Sequence, residues 1–265
     1  MIGQKKLQDT IQELIQTKSL PRTILLEGDL GCGKHTLVKE TSAKLGLDVQ
    51  DITDTLTLEV LQDISVRPTP YVYIIDASGL SIREQNVILK FLEEPLKNSY
   101  IFVLCVSKYS LIPTVKNRCY CLSFEQYSTE ELKSFIDFQI IPEVLEFANT
   151  PGRLLSMVNA PVDRMIEFVN SIYQKISNAS YSNILKIPSK CYYKDAVDGL
   201  FEFDLFVYVL LQQSVKLYNQ SVITYNMYEL VSQFYNDCMI PHINKQQLFD
   251  HFIFNLKLLT EGACL

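Results

Sequence analysis

A glycine-rich loop between a short apolar run and a helix-like segment is the feature that most constrains this fold. The loop reads GDLGCGKHT, from Gly28 to Thr36, and follows the strand-like run TILLE. Gly28, Gly31 and Gly33 permit backbone angles that turn successive N–H groups inward, which forms an anion site at a helix start. Lys34 can then reach the β and γ phosphates. The motif predicts a nucleotide-binding loop, although glycine-rich turns without a ligand also occur.

The residue after the lysine usually supplies a hydroxyl to Mg²⁺, and this chain has His35 there. Imidazole is a poor partner for this hard, oxygen-seeking ion. Thr36 offers a hydroxyl one residue later, but one helical step rotates its side chain by about 100°. The loop therefore predicts a weak or vestigial site for ATP or ADP, with poor provision for Mg²⁺. The expected nucleotide-contacting residues of the loop are Gly28, Gly31, Cys32, Gly33, Lys34, His35 and Thr36.

Asp76 ends the apolar run VYIID, at the kind of strand tip from which an acidic residue orients magnesium and its waters. The next position usually carries a glutamate that activates the attacking water. Here it is Ala77, whose methyl group cannot accept a proton. Asp76 is alternatively an ordinary strand-end residue. Because His35 and Ala77 affect the metal ligand and the base of one reaction, we expect weak or absent ATP hydrolysis.

Four short apolar runs in the first half of the chain are strand-like, and helix-like segments separate them. Each run is rich in β-branched or aromatic residues. The helix-like segments include residues 34–45 and 81–94. Because alternating strands and helices form a parallel sheet, we expect an α/β domain over residues 1–123. The runs are TILLEG at 23–28, the weaker LDVQDI at 47–52, VYIID at 72–76 and YIFVLCV at 100–106.

The pattern changes after Phe124. A helix start is predicted at Ser128, where Ser-Thr-Glu-Glu precedes apolar residues at helical spacing. The turn Asn-Thr-Pro-Gly at 149–152 introduces another short helix, and long helix-like segments follow it. We therefore expect a small helical domain over residues 124–160 and an all-helical domain over residues 161–265.

Composition narrows the class of protein. A net charge of −6 argues against a broad basic face for nucleic acid, although a local contact to DNA stays open. Seven cysteines without a CxxC pair indicate neither a disulfide framework nor a zinc ribbon, and they fit reduced thiols. Residues 1–20 resemble a polar amphipathic helix, and no apolar run approaches the roughly 18 residues of a membrane span. We expect a cytoplasmic protein that does not enter the membrane.

Two stretches together resemble a known family. VYIIDASGLSIREQNVILKFLEEP at 72–95 and SLIPTVKNRC at 110–119 are similar to the AAA+ clamp-loader subunits of bacterial DNA polymerase III, specifically the δ′ family. In that family a Ser-Arg-Cys motif supplies an arginine finger to the ATP of a neighbouring subunit, and this chain reads Asn117-Arg118-Cys119. The resemblance implies that Arg118 is catalytic in trans. A surface salt bridge is the alternative role for this residue.

Further segments agree with the resemblance. Ser107 falls at the first nucleotide sensor, although a serine just past a strand is also a common turn residue. Arg153, in TPGRLL, falls at the second sensor, although it could equally be an exposed helix-start residue. The string Ile-Gly-Gln at 2–4 resembles the adenine-side segment, and the helix from Ile243 resembles the last helix of the collar. The collar is expected to present large aromatic faces, some of them core, from Phe201, Phe203, Phe206, Tyr208, Phe252 and Phe254.

The resemblance implies an α/β AAA+ phosphate-loop domain followed by a helical lid and a helical collar. Many family members carry a cysteine zinc module after the loop, but residues 37–75 contain no cysteine, so we expect no zinc. The implied function is a δ′-type subunit in a pentameric ring with τ/γ-type ATPase subunits and a δ-type subunit. The ring would load the sliding clamp, and this chain would meet primer–template DNA only indirectly.

Two other functions stay open from the sequence. One is a self-sufficient AAA+ ATPase, such as a helicase loader or a phage replication factor, which would need a working base and metal ligand. The other is a nucleotide-independent scaffold in which the loop is vestigial.

Overall fold

The computed structural model describes residues 3–93, 99–136, 142–184, 186, 202–240 and 243–262. The chain divides into two units, Met1–Gln139 with Ala148–Leu154 and Ile140–Phe147 with Leu155–Leu265. Four residues named above lie outside the described ranges, and they are Ile2, Glu94, Pro95 and Phe201.

Five parallel strands form the sheet described in the first unit, in the order β2–β3–β4–β1–β5. Four of them fall on the four apolar runs, so the parallel α/β architecture expected from the sequence is confirmed. The fifth, β5, lies at the sheet edge and is largely exposed, so its four residues form no apolar run that sequence alone would reveal. The strands are β1 Thr23–Glu27, β2 Asp48–Asp51, β3 Tyr71–Asp76, β4 Tyr100–Cys105 and β5 Tyr120–Ser123.

Helices of the first unit cover both faces of this sheet. Two separate clusters of buried side chains result, one containing Leu25, Tyr73 and Phe91 and the other containing Leu26 and Phe102. Burial on both faces explains why β1, β3 and β4 are continuous apolar runs rather than alternating ones. The helices are α1 Lys5–Gln16, α2 Lys34–Leu45, α3 Leu58–Ser65, α4 Ile82–Glu93, α5 Pro113–Lys116 and α6 Thr129–Lys133, with short 3-10 helices at Thr53–Thr55 and Lys108–Ser110.

The predicted helix start at Ser128 is confirmed by its geometry. The Ser128 hydroxyl accepts a hydrogen bond from the backbone N–H of Glu131, and the Glu131 carboxylate accepts one from the N–H of Ser128. This reciprocal pair satisfies two N–H groups that a helix start would otherwise leave unpaired. The sheet ends at Ser123, five residues before this cap.

The regular elements described in the second unit are helical. Helix α9 packs against α11, α11 packs against α12, and α13 packs against α12, α9 and α10. The helices are α7 Pro142–Phe147, α8 Pro151–Val158, α9 Val162–Ile176, α10 Tyr181–Ile184, α11 Phe203–Asn219, α12 Tyr225–Cys238 and α13 Lys245–Thr260, and α8 continues from the first unit into the second.

Aromatic rings fill the core of the second unit. Phe234 stacks on Phe252 with ring centroids 4.5 Å apart, and Phe249 contacts both rings as well as Phe206. Of the aromatic residues expected to present collar faces, Phe206, Tyr208 and Phe252 are buried within this unit, whereas Phe254 is 40% exposed. Stacked and edge-on ring pairs of this kind each add about 0.5–1.5 kcal/mol beyond the area that they bury.

A buried lysine joins three elements of the second unit. Lys257 of α13 is 4% exposed, and its Nζ donates to the carbonyl oxygen of Ser177, just past the end of α9, over 2.7 Å. The same ammonium lies 3.0 Å from a carboxylate oxygen of Glu261, whose other oxygen accepts a hydrogen bond from the Tyr181 hydroxyl. These hydrogen bonds hold the pKa of Glu261 below its usual value. A cation at this place is also favoured by the negative end of α9.

We expect Lys257→Met to destabilise the second unit by about 1–3 kcal/mol, because the Ser177 carbonyl loses its donor while the apolar stem is kept. Hydrogen exchange followed by mass spectrometry should show faster exchange in α9 and α13. Lys175→Met, at an exposed position of α9, is the control and should leave exchange unchanged. Equal exchange in the wild type and Lys257→Met would contradict the role given to Lys257.

Candidate functional site

The glycines of the loop are required for two different reasons. Gly31 and Gly33 have φ of 77° and 103°, in the left-handed region that favours glycine. Gly33 also precedes the first residue of α2 as its N-cap residue. Gly28 instead meets a steric limit, since a Cβ there would lie 2.8 Å from both Cys32 Sγ and Phe124 Cβ. The strand–loop–helix arrangement expected of a phosphate loop is therefore present.

Lys34 lies inside the loop. The residue is 7% exposed, and its Nζ donates to the carbonyl oxygens of Gly28 and, over 3.0 Å, Asp29. The ammonium can exchange these contacts for phosphate oxygens, because carbonyl and phosphate oxygens are both acceptors. Cys32 is buried beside Lys34, and burial raises the pKa of its thiol. The loop backbone is fixed from outside by the Tyr127 hydroxyl, which donates to the Cys32 carbonyl over 2.7 Å.

The segment 149–153 is hydrogen-bonded to the loop at successive points. The Thr150 hydroxyl donates to the carbonyl of Leu30 over 2.7 Å, and the N–H of Gly152 donates to the carbonyl of Gly31 over 2.9 Å. Beside them the Asn149 amide donates to the Asp29 carboxylate over 3.0 Å. The predicted second-sensor segment therefore lies on the loop.

Two glycine backbones touch at this contact. A Cβ built on Gly152 would lie 2.6 Å from Gly31 Cα, and one built on Gly31 would lie 3.0 Å from the backbone nitrogen of Arg153. The structure thus brings Arg153 beside the loop, while its contact with phosphate stays a prediction. Sequence reasoning missed the roles of Asn149, Thr150 and Gly152. The signals for this segment were the Asn-Thr-Pro-Gly turn, which predicts a helix start, and the resemblance of TPGRLL to the second sensor, and neither names these contacts.

The magnesium side of the loop has an unusual set of side chains. His35 Nε2 lies 3.6 Å from the Oδ2 atom of Asp51, at the end of β2, and each side chain is 49% exposed. Thr36 is exposed on α2. Asp76 uses its Oδ1 atom to accept the N–H of Ser78 over 2.9 Å. The imidazole at the position after the lysine does not fit Mg²⁺, which demands a near-octahedral arrangement of oxygen ligands.

The position next to Asp76 has no catalytic base. Ala77 is 1% exposed, and its N–H donates to the Leu104 carbonyl over 2.8 Å. Within the described ranges, no three His, Cys, Asp or Glu side chains are grouped so that they could hold a metal ion.

A carboxylate that sequence reasoning missed lies beside the loop. Glu27, the last residue of β1, accepts hydrogen bonds from the N–H of Lys108 and the hydroxyl of Ser123, both over 2.9 Å, and lies 3.4 Å from Lys108 Nζ. Burial alone would raise the pKa of Glu27, but these hydrogen bonds and the Lys108 charge bring it below the usual value. The stabilisation from this carboxylate is therefore present at neutral pH and is lost as pH falls through its lowered pKa.

Ser107 lies just past β4 and caps the following 3-10 helix. Its hydroxyl accepts the N–H of Tyr109 over 3.3 Å, which is the turn role that the sequence left open. Its contact with nucleotide stays a prediction.

A cavity of about 250 Å³ adjoins the loop within the first unit. This volume lies just below the range of about 300–1,000 Å³ for small-molecule pockets, so it has room for part of a nucleotide. Glu125, which lines the cavity, is bonded to Gln4 of the predicted adenine-side segment. The Gln4 amide nitrogen donates to the Glu125 carbonyl over 2.7 Å, and the Glu125 N–H donates to the Gln4 amide oxygen over 2.9 Å. The cavity is lined by Glu27, Gly28, Asp29, Cys32, Val106, Ser123, Phe124, Glu125, Gln126, Tyr127, Asn149 and Thr150.

Arg118 lies at the surface of the first unit, two residues after α5. Its side chain is 31% exposed, its Nη1 donates to the carbonyl of Thr114 over 2.7 Å, and its Nη2 pairs with the carboxylate of Glu93. The salt bridge that the sequence left as an alternative is therefore formed. It still leaves part of the guanidinium open to solvent.

Comparison with known proteins adds an independent observation. Residues 46–128 match the model of the family described as DNA polymerase III, delta subunit. DNA polymerase III subunit tau of Bacillus subtilis (strain 168) is 25% identical over 236 residues, which cover 76% of this chain. The resemblance to AAA+ clamp-loader subunits of DNA polymerase III is confirmed. This chain spans only 41% of the length of tau.

Solved structures agree on the fold. The Holliday junction branch migration motor RuvB of Thermotoga maritima superposes with a TM-score of 0.52 at 17% identity, covering 98% of this chain and 88% of RuvB. A second structure of that protein gives a TM-score of 0.53 at 16% identity. These identities show the fold alone, which is an α/β AAA+ domain followed by helices. In the part of the chain that the structure describes, no helix combines the length and apolarity needed to cross a bilayer.

We expect Gly152→Ala to destabilise the first unit by about 1–3 kcal/mol, because the new methyl group would overlap the backbone of Gly31 and break the hydrogen bond between the two residues. Hydrogen exchange should rise in residues 28–33. Leu155→Ala, at an exposed position of the same helix, is the control. Unchanged exchange of the loop in Gly152→Ala would show that the contact does not hold it.

Proposed function

We propose that this chain is a δ′-type subunit of a DNA polymerase III clamp loader. In this proposal it assembles with τ/γ-type ATPase subunits and a δ-type subunit, and donates Arg118 to the ATP of a neighbour. Its own site hydrolyses ATP weakly or not at all. The proposal rests on a contrast between two places in the chain. The Arg118 guanidinium lies at the surface of the first unit, whereas the chain's own nucleotide site lacks both the hydroxyl that usually binds magnesium and the base that activates water. The relation to clamp-loader subunits supports it.

The contacts of Arg118 suit a residue that changes partners. Its ion pair is with Glu93, whose side chain is 47% exposed. Exposed ion pairs of this kind contribute only about 0–1 kcal/mol, so exchanging the carboxylate for a phosphate costs little. A guanidinium keeps its charge at every relevant pH and can bond two phosphate oxygens at once. Arg118 is thus held near its working conformation by weak contacts.

The chain's own site has the opposite character. Lys34 and the glycines can hold phosphate, but Ala77 cannot accept a proton from water and His35 is a poor magnesium ligand. We therefore assign ATP hydrolysis to neighbouring subunits, and Arg118 of this chain would complete one of their active sites. ATP or ADP would bind here weakly or act only as a structural ligand.

The remaining assignments follow from the same proposal. Residues 1–123 would form the AAA+ domain, 124–160 the lid and 161–265 the collar through which the ring assembles. The net charge of −6 suits a subunit that meets the sliding clamp and other proteins first and primer–template DNA indirectly. Such a protein would work in the cytoplasm, away from membranes.

Reconstitution of the loader with its clamp tests this function. We expect Arg118→Ala to lower the ATPase rate of the assembled complex by about tenfold or more, because removal of an arginine finger lowers turnover by large factors. Size-exclusion chromatography should show that assembly is intact. Arg118→Lys should restore little activity, because an ammonium lacks the planar fork.

Two further variants separate a finger from a structural role. Glu93→Gln breaks the same ion pair, so a structural role predicts equal losses for Glu93→Gln and Arg118→Ala, whereas a finger predicts a loss only for Arg118→Ala. Arg83→Ala, at an exposed position of α4, is the matched control. An unchanged rate for Arg118→Ala in an intact complex would remove the finger. ATP turnover by the isolated chain would favour a self-sufficient ATPase.

A further inference from the structure

Both carboxylate oxygens of Asp51 have protein neighbours. Its Oδ1 atom accepts two hydrogen bonds from Thr53, one from the N–H over 3.0 Å and one from the hydroxyl over 2.7 Å. Its Oδ2 atom lies 3.6 Å from His35 Nε2. The His35 imidazole at the start of α2 therefore faces the Asp51 carboxylate across a half-exposed contact.

The same network reaches Asp76. The Thr53 hydroxyl accepts the backbone N–H of Asp76 over 2.8 Å, and the Asp76 carboxylate in turn accepts the N–H of Ser78. Both carboxylates at the ends of β2 and β3 thus have protein donors already. A magnesium ion coordinated here would share these carboxylates with the turns, and it would find imidazole where a hydroxyl is expected.

The phosphate side of the loop does not depend on these groups. Lys34 reaches into the loop from α2, and Gly31 and Gly33 take positive φ values that leave the loop backbone free to curve around an anion. Charge on the phosphates can therefore be met by the lysine and by backbone N–H groups. The groups around the loop therefore provide for the phosphates of a nucleotide but not for its magnesium ion.

We propose that this loop binds a nucleoside di- or triphosphate without magnesium, and that the His35–Asp51 pair replaces the magnesium ligands. The ligand class is a nucleotide whose binding gains nothing from magnesium, and His35 is the residue that removes the contribution of the cation. The inference deepens the proposed function, because it rests on the loop still holding a nucleotide in a subunit that does not hydrolyse it. The nucleotide occupancy of such a site would not depend on the magnesium level.

Isothermal titration calorimetry of ADP and ATP with the isolated full chain tests this, with EDTA or with saturating Mg²⁺. We expect the two dissociation constants of the wild type for ADP to agree within about twofold, because the site gains nothing from the cation. His35→Thr restores the hydroxyl and should bind ADP about tenfold or more tightly with Mg²⁺ than with EDTA. His35→Val has the same shape without the hydroxyl and should stay indifferent to Mg²⁺.

Lys39→Ala, at an exposed position one turn further along α2, is the control and should bind ADP like the wild type. Tighter binding of ADP by the wild type in Mg²⁺, by about tenfold or more, would overturn the proposal. The proposal would also be overturned if His35→Thr bound ADP equally tightly with Mg²⁺ and with EDTA, or if the wild type bound neither nucleotide in either condition. These outcomes concern the isolated chain, whereas the Arg118 assay concerns the assembled complex, so the inference and the proposed function can fail separately.

Discussion

The contact between the backbones of Gly31 and Gly152 is the constraint on which the site depends. Only two residues without a Cβ allow the loop and the segment 149–153 to approach this closely. The approach lets Thr150 and Gly152 supply donors to loop carbonyls that would otherwise face solvent. It also brings Arg153 beside the loop, and Asn149 and Thr150 of the same segment line the cavity. A side chain at either glycine would push the loop and the segment 149–153 apart, because neither backbone can move without a cost in stability.

The sheet supplies the second constraint. Strand β1 lies between β4 and β5, and its last residue, Glu27, is paired with Cys105 and Ser123 on the two sides. The loop, Ser107 and the cavity therefore meet at the carboxyl edge of one sheet, which is where open α/β sheets bind ligands. Glu27 and Lys108 neutralise each other at this edge. In the proposed function, the charge that faces phosphate is then left to Lys34.

One physical theme links the proposed function and the further inference. In both, charge serves to hold phosphate and to reach a neighbour, and it does not serve to activate water. His35 faces Asp51, Asp76 supports its own turn, and Ala77 is packed into the core of the first unit. Among the described residues, Arg118 by contrast is held by a half-exposed carboxylate and one carbonyl. A subunit of this design would retain nucleotide while contributing its cation to another site.

The sequence by itself determined the strands that carry the loop, the helix after it and the cap at Ser128, because these follow from local periodicity, glycine positions and side-chain capping. It also identified Lys34, His35 and Ala77, since a motif fixes their place relative to one another. Only the tertiary structure decided that Gly152 touches Gly31, that Asp51 lies beside His35 and that Glu93 pairs with Arg118. These pairs join residues that are far apart in the chain. The local spacing of residues does not indicate which distant backbone or carboxylate group the folded sheet brings close.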